Sequence, residues 1–77
     1  MNNQNPNKMS IEKSNIADFD TFKNRLKQDE KYCNFDPVYY YKALTNYSAQ
    51  GYKYADWYAA ARNWMLRDHK EGKATIL

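Results

Sequence analysis

The chain has 77 residues, a formal charge of +3, 17% aromatic side chains including eight tyrosines and a mean hydropathy of -1.07, and a domain this small buries only about 60% of the surface its unfolded form exposes. Its core must therefore be a few large side chains under a polar skin, and one cysteine (Cys33) with one histidine (His69) can neither close an internal disulfide nor complete a zinc site. No apolar run approaches the roughly 18 residues of a membrane span, and the asparagine-rich start lacks the apolar stretch of a signal peptide, so the expectation is a cytoplasmic protein without metal, cofactor or membrane contact.

Residues 1–15, with Asn2, Asn3, Asn5, Asn7 and Pro6, carry too little apolar surface to offset the entropy of ordering them and are expected to form a disordered tail. A domain over residues 16–70 follows. Phe19, Phe22 and Leu26 recur at i, i+3 and i+7, with Asp18 able to cap and Asp20 placed in the first turn, which predicts a helix over residues 19–31. Asp36-Pro37 is a strong helix start, since Asp accepts from orphan N–H groups and Pro at the first helical position loses nothing by lacking its own. Tyr40, Leu44 and Tyr47, broadened by Tyr41, form the apolar stripe of this second helix, expected over residues 37–49, and Gly51 stops it. A third helix is expected over residues 55–70, with Asp56 in its first turn, before Gly72; residues 71–77 read as a flexible C-terminus. No segment alternates as a strand, so the fold class is all-α, a small three-helix bundle.

The third helix has two faces. Trp57, Ala60, Ala61 and Trp64 fall at i, i+3, i+4 and i+7 and form one apolar stripe. With Phe22, Leu26, Tyr40 and Leu44 they make up the expected core. Arg62, Asn63, Leu66, Arg67 and Lys70 share the other, mostly basic side, weakened by Asp68 and Glu71.

The charge excess lies in this half of the chain. Residues 1–37 carry six basic and six acidic side chains, residues 38–77 six basic and three acidic, which suits an anionic partner. Such a basic helix end is equally explained by the helix dipole and solvation. Tyr39, Tyr40 and Tyr41 are each turned by about 100° on a helix, so at least one ring stands at the surface, either as an inert amphipathic side chain or as a platform for an unpaired base. The candidate nucleic-acid contacts are Arg62, Arg67, Lys70 and Lys53 for phosphates and Tyr39, Tyr52 and Tyr58 for bases. No glycine-rich phosphate loop, nucleophile elbow or paired-carboxylate site marks an enzyme.

The positions Phe35, Tyr39, Tyr40 and Gly51, then Tyr54, Asp56, Trp57, Ala60, Arg62, Asn63, Trp64 and Arg67 follow a pattern in which an aromatic-rich helix ending in Gly precedes an Asp-Trp helix closed by an Asn-Trp pair. Over residues 35–68 the chain resembles the C-terminal module of phage and bacterial replication-initiation proteins and is similar to the DNA-binding domain of the primosomal protein DnaT. The resemblance implies a non-enzymatic helical module that binds single-stranded DNA or docks within a replication-initiation assembly. The alternative function is a protein-interaction or self-association domain, with a replication protein or a second copy as partner, using exposed tyrosines.

Overall fold

The structure, a computed structural model, describes residues 7–77, and the expected tail lies outside the described residues over positions 1–6. A 3-10 turn at Ile11–Lys13 is followed by α1 (Phe19–Lys27), α2 (Pro37–Ala49) and α3 (Trp57–Lys70). The described residues form an all-α three-helix bundle, with two isolated bridges as the only extended pairing.

Each helix begins at an aspartate cap. Asp18 accepts from the Thr21 N–H at 3.1 Å and its hydroxyl at 2.8 Å, Asp36 accepts from the Val38 N–H at 2.9 Å, and Asp56, standing at the cap and not inside the first turn, accepts from the Ala59 N–H at 3.0 Å. Each satisfies donors that the helix leaves unpaired. α2 has the expected bounds. α1 stops four residues short of expectation because Asp29 diverts the chain: its carboxylate accepts from the Lys31 N–H and from the Tyr58 hydroxyl, a local alternative to helical bonding. α3 ends in a Schellman turn, with Gly72 at φ 73°, Gly72 N–H donating to His69 and Lys73 N–H to Asp68 at 2.9 Å.

The core unites Ile11, Ile16, Phe22, Leu26, Tyr32, Phe35, Tyr40, Leu44, Trp57, Tyr58, Ala61 and Met65. Two expectations are corrected here. The chain enters the fold from Met9, well inside the segment read as tail. Met9 and Tyr54 exchange backbone hydrogen bonds at 3.0 and 3.1 Å, the Trp57 indole donates to the Met9 carbonyl at 2.8 Å, and Ile16 is completely buried. Residues 71–77 are likewise held as a strap rather than left free. The Asp36 N–H donates to Thr75, the Leu77 N–H to Asn34, and the Thr75 N–H to the Tyr40 hydroxyl.

The buried face of α3 is also rotated by about one residue from the tryptophan line. Trp57, Ala60 and Ala61 are buried as expected, but Tyr58 and Met65 join them while Trp64 is only partly buried at the edge. The face is centred on Ala61, which places Tyr58 and Met65 inside and moves Trp64 towards α2.

Candidate nucleic-acid interface

A groove of about 300 Å³ runs between α2 and α3, lined by Tyr39, Tyr40, Ala43, Trp64, Arg67, Asp68 and Lys73. Tyr39 and Ala43 are one turn apart on α2, and the small alanine leaves the space that Trp64 fills from α3. Tyr39 stands half exposed on one wall, edge-on to Tyr40 with ring centroids 5.0 Å apart. Trp64 meets Tyr47 edge-to-face at 5.1 Å, and Tyr47 in turn stacks on Tyr52 at 4.0 Å with planes 5° apart. Tyr39, Ala43 and Tyr47 follow the i, i+4, i+8 line of α2, so an aromatic track runs along the helix for about 12 Å, with Tyr39 in the groove and Tyr47 and Tyr52 beyond Trp64, outside its lining.

The groove floor is a polar relay. The Tyr40 hydroxyl donates to Asp68 Oδ2 at 3.0 Å while accepting from the Thr75 N–H at 3.2 Å. Burial, reinforced by the neighbouring Asp68 carboxylate, pushes the Tyr40 phenol above its ordinary range. Its proton therefore stays in place at neutral pH and ties the floor to the C-terminal strap.

Cations cluster at the Tyr39 end. Arg67 borders both this groove and a shallower one of about 270 Å³ lined by Asn63, Leu66, Lys70 and Glu71, so Arg67, Lys70 and Lys73 frame adjoining surfaces. Two of them have carboxylate neighbours. Arg67 Nε lies 3.8 Å from Asp68 Oδ1, and Lys73 Nζ lies 2.9 Å from Glu71 Oε1, a pairing that raises the lysine and lowers the glutamate. The Lys73–Glu71 pair is at the surface, where such a contact contributes little, whereas in the other pair Arg67 is exposed and Asp68 lies mostly buried on the groove floor.

The remaining sequence candidates lie elsewhere. Tyr58 is corrected from contact residue to core. It is 3% exposed, its hydroxyl donates to Asp29 at 2.9 Å, and the Arg25 and Arg62 guanidinium carbons lie 4.1 and 5.6 Å from its ring centroid. Burial first, then the Asp29 hydrogen bond, drives its phenol far above the normal range. No free ring face is left for a base. Arg62, although exposed, borders neither groove and is directed to Tyr58. Lys53 is exposed in the loop before α3, beside Tyr52, at the far end of the aromatic track. Tyr52 is half exposed with Tyr47 on one face. Trp64 and Lys73 were not among the sequence candidates. The exposure of Trp64 follows from the rotated face, and Lys73 is returned to the groove by the turn at Gly72.

No three His, Cys, Asp or Glu side chains converge as a metal site, and no helix is long and apolar enough to cross a membrane, among the described residues. Comparison of the chain with protein-family models, with curated proteins and with solved structures finds no match.

Proposed function

We propose that the chain is a non-enzymatic module that binds single-stranded nucleic acid, without strong base preference, along the α2–α3 groove. The observation that carries this reading is the convergence of half-exposed Tyr39 and partly buried Trp64 with Arg67 and Lys73 in one groove. Rings offer any base a stacking surface worth ~1–3 kcal/mol each, and cations along the same groove follow the backbone. Arg67, Lys70 and Lys73 are the phosphate contacts, with Tyr39 and Trp64 as the stacking pair and Tyr52 as an outlying ring. The replication-module resemblance supports DNA as the strand bound, a cytoplasmic site of action and a replication protein as a further partner.

Titration with oligothymidylate, followed by tryptophan emission, tests the reading. Trp57 is buried, so the quench must come from Trp64, and Trp64→Phe should remove most of it. Three phosphate contacts give a slope of log K against log salt of about -2, at ~0.7 per contact on a single strand. Lys73→Ala should flatten that slope by nearly one contact and Arg62→Ala should leave it unchanged. A folded sample that shows no binding at low salt rejects this function and leaves protein interaction in its place.

A further inference from the structure

A second groove lies on another face of the bundle, between α1 and the start of α2. One lobe, about 250 Å³, extends from Phe19 along Lys23 and Lys27 to Leu77. The other, about 330 Å³, continues over Val38 to Tyr41 and Lys42. Phe19 and Val38 border both lobes. Buried Leu26 and Pro37 form its floor, and Val38, 61% exposed, stands apolar and open on the wall shared by both lobes, costly surface for a small domain to leave in water.

The rim is basic. Lys23 and Lys27 stand one turn apart on α1, and Lys42 stands on α2. Among the described residues Asp36 is the one side-chain carboxylate lining either lobe, and it is occupied in capping α2 through the Val38 and Tyr39 N–H groups. We propose that this groove docks an acidic amphipathic helix of a partner protein, its apolar side chains at i and i+4 entering the two lobes and carboxylates on both flanks meeting the lysines. α1 spans about 13 Å, enough to seat two to three turns of such a helix.

The chain's own helices do not fit the site. α1 holds a single acidic residue, Asp20, α2 holds none, and the one carboxylate of α3, Asp68, is bonded to Tyr40. A second copy would bring lysine against lysine. The described helices thus lack two acidic flanks, which favours a helix of another protein as the occupant, and the site is separate from the α2–α3 groove.

The probes are two fluorescein-labelled peptides of roughly 14 residues with the same leucine face at i, i+4, i+7 and i+11, one flanked by glutamates and the other by lysines, measured by anisotropy with the full chain. The glutamate peptide should bind roughly tenfold more tightly than the lysine peptide at moderate salt. Lys23→Glu with Lys27→Glu should abolish or reverse that preference, and Val38→Asp should weaken both peptides by about tenfold or more. Val38→Asp places its carboxylate on an exposed first-turn position that the helix dipole favours, and circular dichroism checks its fold. Arg67→Ala should leave peptide binding unchanged, which keeps this site's outcome independent of the nucleic-acid groove. Equal binding of the two peptides, or indifference to Val38→Asp, overturns the proposal. So does a Val38-dependent dimer in sedimentation, or Val38-dependent binding to phosphatidylglycerol vesicles with which the glutamate peptide does not compete.

Discussion

Ile16→Ala tests whether the segment ahead of α1 belongs to the folding unit. Ile16 is fully buried, its N–H donates to the Ser14 hydroxyl at 3.2 Å, and its carbonyl lies 3.0 Å from the Tyr41 hydroxyl. The substitution leaves these backbone bonds available and removes only side-chain packing. Burying an isoleucine side chain contributes about 1.5–3 kcal/mol, and the cavity left behind brings the usual cost to about 2–5 kcal/mol. A domain of this size has a total stability of roughly 4–12 kcal/mol, so the variant should lose a large fraction of it. In urea, with a slope near 1 kcal/mol/M for a small domain, the midpoint should fall by about 2 M or more. The assay is urea unfolding followed by tryptophan emission, because Trp57 reports the core directly. Asn15→Ala, at the neighbouring exposed position, is the control and should stay within about 0.5 kcal/mol. An Ile16→Ala midpoint indistinguishable from the control would show that this segment does not pack as described.

The rotated face of α3 predicts that Trp57→Ala costs about 3–5 kcal/mol and Met65→Ala about 2–5 kcal/mol, whereas Trp64→Ala, only partly buried, costs less than either; thermal melts that rank Trp64 highest would return the face to the tryptophan line. The phenols of Tyr58, Tyr40 and Tyr41 are all raised, chiefly by burial. Their folded pKa values lie above the unfolded value near 10, so the stability they contribute is complete below about pH 10 and is lost as pH rises towards the folded values. Melting temperature should accordingly fall steeply above about pH 10, and Tyr58→Phe should fall less steeply over that range while being somewhat less stable at pH 7; parallel curves for the two proteins would remove Tyr58 as a source of the alkaline loss. At the acid end, the Asp18 carboxyl is held below its usual range by its bonds to Thr21, so α1 capping is present above about pH 4 and weakens as pH falls further. Thr21→Val should reduce that acid sensitivity in melts between about pH 5 and pH 2.

What could be read from the sequence divides along the range of the interactions. Aspartate caps, the Pro after Asp36 and the glycine stops act within four or five residues, so α2 was legible to its ends and the start of α1 was legible too. The end of α1 was not, because Asp29 serves a tyrosine 29 positions away. The same partner removed Tyr58 from the surface. Ile11 and Ile16 lie in a polar stretch with no helical period, and what orders them is pairing between Met9 and Tyr54, a contact without a local signature. On α3 the composition of the apolar face was plain but its centre was not: alanines at 60 and 61 tolerate either neighbouring direction, and the Tyr58–Asp29 bond and the complete burial of Met65 settle it. Lys73 joins the candidate groove only because the turn at Gly72 folds the strap back along the helix.

The tyrosine triplet shows why fold and candidate site are difficult to separate in so small a domain. A rotation of about 100° per residue sends three consecutive rings in three directions. Tyr39 reaches the α2–α3 groove, Tyr40 enters the core, and Tyr41 packs against Phe19 and Phe22 with its hydroxyl donating to the Ala17 carbonyl at 2.7 Å. The middle ring links α3 to the strap, since its hydroxyl donates to Asp68 on α3 and accepts from the Thr75 N–H on the strap. Asp68 is thereby turned into the floor of the groove, where its charge is shared between a phenol and Arg67, and the strap is fixed two residues beyond Lys73. Tyr40 touches the core, the groove floor and the chain that carries one of the three cations. The position of the cations relative to Tyr39 and Trp64 is therefore set by the same packing that stabilises the bundle, and a loss of core order at the α2–α3 contact disperses the aromatic and basic groups together.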